Sequence, residues 1–306
     1  MTGSTFPMKT IYEASYWASA FFLFILTSLA LQAEPIVSPE KSPEKQGTPE
    51  DQFQLAVALM KGEGVSKDPE RAGYWFRKAA EQGNTRAMNA LGSLYCEGNG
   101  TPVNYQLAKE WFVKALAQKD PEPRAMYNIG HMEEKGLGRK SDMKSALAWY
   151  EKASAAGLSK ATQHLGEIYY YGDGGIAKDY LKARTYFKKA AEAGEAESMN
   201  HLGVMYESGK GGSSDPVMAG KYYLQAAVLL YPRAQNNYGR CLIQGIGMRK
   251  DELKGVEWLQ MAKLNGDGNA GTELAQLSAV ISPGLFEVGI QNAQELWNQG
   301  KKKPAE

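Results

Sequence analysis

The stretch MNALGSLYCEGNG, residues 88–100, ends in a Gly-x-Gly pair. Two readings of that pair compete. Glycines can cradle a phosphate, or they can stop one helix and turn the chain into the next. A phosphate loop needs a preceding strand and a final Lys-Ser/Thr or a third glycine, and neither accompanies this pair. The pair is also not alone: Gly62/Gly64, Gly136/Gly138, Gly172/Gly174, Gly209/Gly211 and Gly245/Gly247 repeat it. A glycine after a helix takes the left-handed conformation that ends it. An acidic residue such as Asp68, Asp142 or Asp179 then precedes the next helix, with Pro69 suited to a first helical position. The glycines are read as punctuation.

Working outward, the sequence repeats itself from residue 51. Gly92 has counterparts at Gly130, Gly166, Gly203 and Gly239, with Ala56 before them and Ala275 after, at intervals of 36 to 38 residues. A second marker keeps time. Ala72, Ala108, Ala146, Ala183, Ala219 and Gly255 are each followed three positions on by Trp75, Trp111, Trp149, Tyr186, Tyr222 or Trp258. Four positions later comes another alanine. Such spacing puts these residues on one helix face, and the aromatic stripe is expected in the core. Each unit therefore holds two helices. A glycine inside the first costs about 1 kcal/mol against alanine, so its recurrence predicts a close approach by a neighbouring helix. A lone pair cannot cover its apolar face, so the units must stack into an all-α solenoid.

Composition narrows the function classes. The chain has 306 residues, 43% hydrophobic and 23% charged, with 35 basic against 34 acidic residues and a net charge of +1. Only residues 301–303 cluster positive charge, which argues against a nucleic-acid partner. Residues 1–33 read as an export signal: Lys9, then the apolar run YWASAFFLFILTSLAL, then small residues before Glu34. Glu13 and the long positive region weaken it, and an uncleaved anchor is the alternative. Membrane contact is expected only through that segment. Residues 34–50, EPIVSPEKSPEKQGTPE, read as a disordered linker. The predicted solenoid spans 51–281 as six repeats and a half. A capping helix and basic tail follow over 282–306, opened by Ser282-Pro283.

The segments ALGSLYCEGNG, HLGEIYYYGDGGIAKDYLKARTYFKKAAEAG and LMKGEGVSKDPERAGYWFRKAAEQG closely resemble the Sel1-like repeat, a relative of the tetratricopeptide repeat. The resemblance implies a right-handed superhelix that binds proteins or peptides, in exported members a component of the bacterial envelope or secretome. One secreted branch pins each unit with a disulfide and is linked to β-lactams. This chain has only Cys96 and Cys241, four units apart in non-equivalent slots, so that association does not carry over.

Solenoids bind on the face their first helices line. The related tetratricopeptide pattern aims the slots beside each "LG" into that concave groove. Those slots hold Asn89, Asn128, His131, Gln163, His164, Glu167, Asn200, His201, Asn236, Asn237 and Arg240, with Tyr170 a turn further on. Amides both donate and accept, which suits an extended peptide backbone, and Asn200 and Asn236 are expected to touch a ligand without supporting the fold. All three histidines lie here. His164, Glu167 and His201 carry the rival reading, an envelope hydrolase or metal-dependent enzyme. Against it, no second shell is recognisable, no Gly-x-Ser-x-Gly elbow occurs, and the His131/Glu133 start of a deaminase motif lacks its cysteines. The expectation is a non-catalytic scaffold with a protein or peptide partner, no cofactor and no resident metal.

Overall fold

The computed structural model describes residues 47–302. The export-signal reading over 1–33 and nearly all of the linker lie outside the described residues. Within them are fourteen helices and no strand. They form two compact units that meet in sequence at Asn104 and Tyr105. The first holds α1 (Pro49–Lys61), α2 (Pro69–Glu81) and α3 (Thr85–Glu97). The second holds α4 (Tyr105–Leu116), α5 (Pro123–Lys135), α6 (Met143–Ala155), α7 (Ser159–Tyr171), α8 (Tyr180–Glu192), α9 (Ala196–Ser208), α10 (Pro216–Val228), α11 (Pro232–Gln244), α12 (Glu252–Leu264), α13 (Ala270–Leu277) and α14 (Pro283–Lys302). Within each unit, successive helices pack pairwise as stacked helix-turn-helix repeats, the solenoid class predicted. No described helix is long and apolar enough to cross a membrane.

Boundaries differ a little from expectation. Residues 48–50, read as linker, begin α1. Thr48 caps it, its side chain accepting from the Asp51 backbone while Asp51 reaches back to Thr48, a reciprocal box that fixes the helix start. Five of the six second helices start on aspartates, and α4 follows Asn104 instead. Asp68, Asp142, Asp179, Asp215 and Asp251 each accept from the backbone N–H three residues on at 3.0 Å. First helices end on glycine. Gly98 is left-handed (φ 69°) and its N–H donates to Leu94 O. Gly100 has a second role: a Cβ there would lie 2.3 Å from Pro69 O at the start of α2. Gly211 and Gly247 meet the starts of α8 and α10 in the same way, at Tyr180 O and Pro216 O. One glycine closes the helix, and the next lets the turn rest against the preceding repeat.

The close approach predicted at the helical glycines is present. Cβ atoms at Gly130, Gly166 and Gly203 would fall 2.8, 2.7 and 2.4 Å from the rings of Tyr150, Phe187 and Tyr223. Those ring-bearing residues correct the sequence reading of the core. Of the stripe, Trp111 is buried as expected (5% exposed), whereas Trp75, Trp149, Tyr186, Tyr222 and Trp258 are only half-buried. The residues one position later, Phe76, Phe112, Tyr150, Phe187, Tyr223 and Leu259, are at most 4% exposed. On a helix the two positions flank the alanine line by roughly 50° on either side, so periodicity alone cannot choose between them. The first helix of the pair lies over the later one. The displaced aromatics pack beside it, as Tyr186 does on Tyr169 (5.8 Å) and Tyr222 on Tyr206 (5.4 Å). At the C-terminal end, Leu285, Phe286 and Ile290 of α14 cover Val256, Leu259, Leu274 and Ile281, the capping role expected.

Candidate functional site

The site residues divide by unit. Asn89 sits half-buried on α3 in the first unit. The other eleven lie in the second unit, on α5, α7, α9 and α11. There they form two neighbourhoods, one closed on itself and one open.

The closed neighbourhood centres on His164. Its Nε2 lies 2.8 Å from Glu134 Oε2 and its Nδ1 lies 3.2 Å from Glu167 Oε2, so both ring nitrogens are engaged. Tyr150 Oη donates to the same Glu134 oxygen at 2.7 Å, and Lys135 Nζ lies 2.6 Å from the other. Burial alone would depress the imidazole, but the two carboxylates outweigh it and raise His164 from 6.5 to about 9. At neutral pH His164 is an imidazolium clamped between α5 and α7. Gln163 continues the chain of bonds: its Nε2 donates to Glu167 Oε1 (2.9 Å) and to Glu197 Oε2 (2.8 Å), tying α7 to α9. Arg240 is likewise committed, 2.7 Å from Glu207 Oε2, which also accepts from Tyr223 Oη.

This geometry revises the predicted catalytic trio. His164 faces Glu134, a residue the slot pattern did not select, and has no nitrogen left for a metal or a substrate proton. The residues that do converge are Glu167, Glu197 and His201, whose donor atoms lie within 4.8 Å of one another. That trio could touch a cation. However, the two carboxylates already accept four hydrogen bonds, two from Gln163, one from His164 and one from Tyr231 Oη (3.1 Å). His201 is stacked on Phe187 at 4.6 Å with rings 4° apart, and burial pushes its imidazole down toward the neutral form. Glu197 was legible in the sequence as the residue four before His201, one turn away on the same face. Glu133 of the discarded deaminase pattern is buried and paired with Lys109 and Arg139.

The open neighbourhood is a polar pocket of about 320 Å³ lined from α7, α9, α11 and α13. Tyr170, Asn200, His201, Asn236 and Asn237 of the predicted set line it, together with Tyr171, Arg233, Asp267, Asn269 and Glu273. Asn128, His131, Gln163, His164, Glu167 and Arg240 do not. Asn200 and Asn236 are corrected in role: each is only 6% exposed. Asn237 Nδ2 donates to Asn200 Oδ1 and Asn236 Nδ2 to Asp267 Oδ1, both at 2.9 Å, so the first bond joins α11 to the preceding repeat and the second ties α11 to the turn that ends its own repeat. The exposed lining residues are Tyr171, Arg233 and Asn269, and Arg233 has no ion-pair partner among the described residues. Arg233 stands one turn before the amide slots, outside the ladder that the sequence pattern singled out.

The fold and site can now be set beside known proteins. Over 134 residues the chain is 31% identical to chitin synthase regulatory factor 3 of Schizosaccharomyces pombe, covering 42% of this chain and only 14% of that protein. A protective antigen of uropathogenic Escherichia coli with an SLR fold superposes with TM-score 0.65 at 30% identity, over 83% of this chain and 55% of that one. A Sel1 repeat protein from Oxalobacter formigenes gives TM-score 0.63 at 30% identity, over 73% and 90%. The Sel1 repeat is generally a non-enzymatic protein-interaction fold, and no catalytic family is indicated. The Sel1 repeat family model matches residues 49–84, 85–120, 123–158, 159–195, 196–227 and 232–267, one match for each predicted unit. The chain belongs to the Sel1 repeat family.

Proposed function

We propose that the chain is an exported, non-catalytic scaffold that holds an extended peptide segment of a partner protein in the concave groove of its second unit. The observation that carries this reading is the polar pocket of about 320 Å³ between successive first helices, with Arg233 uncommitted at its edge and Tyr170 and Tyr171 supplying apolar contact. The Asn237 carboxamide oxygen remains available for a peptide backbone, because its amide uses only the nitrogen end on Asn200. Arg233 fits an acidic group of the ligand, and Glu273 across the pocket fits a basic one. Export rests on the sequence of residues 1–33.

The test is selection of extended peptides from a displayed library on the full chain, followed by affinities for Tyr171→Ala/Arg233→Glu. Both residues are exposed, so melting should be unchanged while peptide affinity falls at least ten-fold, about 1.4 kcal/mol. Unchanged affinity would remove the groove from consideration. A reporter that is active only outside the cytoplasm, fused after residue 50, tests export separately.

A further inference from the structure

At one turn that the peptide groove does not use, a leucine stands where four other repeats place a left-handed glycine. Where other repeats pass from the second helix into the next unit through Glu81-Gln82-Gly83, Glu192-Ala193-Gly194 or Leu264-Asn265-Gly266, the fifth carries Val228-Leu229-Leu230. The glycines there are left-handed, with φ of 91°, 94° and 96°. Leu230 takes the same turn with φ 63° and is the only described non-glycine residue with positive φ. An L-residue enters that region at an energetic cost. The three side chains are nonetheless 58%, 52% and 61% exposed. Strain that presents apolar surface to water works against folding, so packing within the chain does not account for the triplet.

Beside the triplet runs an apolar groove of about 480 Å³ between α8 and α10, with Met199 of α9, Met218 and Tyr222 in its lining along with Val228 and Leu229. Lys188 and Lys221 stand at its edges, exposed, and neither has an ion-pair partner among the described residues. A single acid, Glu192, stands among them, leaving the rim cationic. A channel between two helices, apolar within and cationic at the rim, complements an amphipathic helix with bulky apolar residues at i, i+3/i+4 and i+7 and acidic residues beside them. We infer that this face, lined by Val228 and Leu229 beside the strained Leu230, is a second docking surface, and that its occupant is an acidic amphipathic helix of a partner protein.

The experiment selects a displayed library of 16-residue helical peptides, randomised along one apolar stripe and its flanks, on the full chain. The proposal expects winners with aliphatic or aromatic residues at helical spacing flanked by Asp or Glu. Their affinity should fall at least ten-fold on Lys188→Glu/Lys221→Glu and on Leu229→Ser/Leu230→Gly. The second variant restores the glycine that four other repeats use, so it should melt no lower than the parent, separating lost docking from lost fold. Tyr171→Ala/Arg233→Glu should leave this binding untouched, which keeps it apart from the peptide groove. An unenriched library, winners without acidic flanks, or affinities indifferent to either double variant would overturn the inference. So would a parent dimer dissolved by Leu229→Ser, which would make the occupant a second copy. Vesicle binding lost in the same variants would make it a lipid surface and overturn the inference as well.

Discussion

Gly166 and Phe187 show how much one missing methyl group decides. The ring lies 2.7 Å from where a Cβ would be, so Gly166→Leu should force α8 away from α7 and lower stability by about 1–3 kcal/mol, read as a drop in melting temperature. A neutral result would contradict the close-approach argument. Leu230 is the converse case. Leu230→Gly should raise stability by about 1 kcal/mol, because glycine enters the left-handed turn without the steric penalty. His164 adds a pH signature. Its folded-state value, about 9, stands above the ordinary 6.5. Its contribution is therefore full below pH 6.5 and fades as pH rises through 9. Comparing the parent with His164→Gln by denaturant unfolding isolates this, since Glu134, Lys135, Tyr150 and Glu167 stay in both chains. The expected difference is on the order of 2 kcal/mol at pH 6 and near zero above pH 9.5. A difference that grew with pH would mean that His164 is held neutral. His201, pushed down by burial, pulls the other way in both chains alike, whereas His131 is pushed down by burial and also by the His164 charge, so the variant relieves part of its shift.

At the scale of the helix, the repeat divides its signals unequally. Five of the six second helices are started by aspartate caps and the six full repeats end their first helix on glycine, whereas α7, α9 and α11 begin without any side-chain cap bond. Those starts are held by the turn from the preceding repeat, as in the Leu158 N–H bond to Ala153 O. Asp215→Ala should therefore cost about 1 kcal/mol of stability, and Asp215→Asn, which keeps the acceptor, only a small part of that. Equal losses from the two substitutions would mean that charge, not the cap bond, supports α10. The amides follow the same division of labour. Asn237 bonds to Asn200 of the preceding repeat, and Asn236 and Gln235 bond to the turn that ends their own, so the ladder read as ligand-facing in part ties helices together.

For the whole molecule, a stack of repeats has an apolar end that something must cover. In the second unit α14 does so over Val256, Leu259, Leu274 and Ile281. Removing residues 283–302 should expose these, giving dye binding to apolar surface and a broadened, less cooperative melt; an unchanged transition would show that α14 is dispensable. The repeat length, the helix pair, the turn glycines and the aspartate starts were legible in the sequence because they are local: each is set by residues within one turn of each other. The family followed from their recurrence in fixed register. What sequence alone left open were choices between positions that a single helix treats alike. Trp75 and Phe76 flank the same alanine line, and only the overlying first helix sends Phe76 inward. His164 was paired in sequence with Glu167, three residues on, yet its shortest bond goes to Glu134, thirty residues away. Asn200 and Asn237 read as groove residues, and contact between repeats turned them toward each other. Backbone periodicity determines which residues share a face. Which partner occupies that face depends on the packing of the next helix, and that was decided only in the tertiary structure.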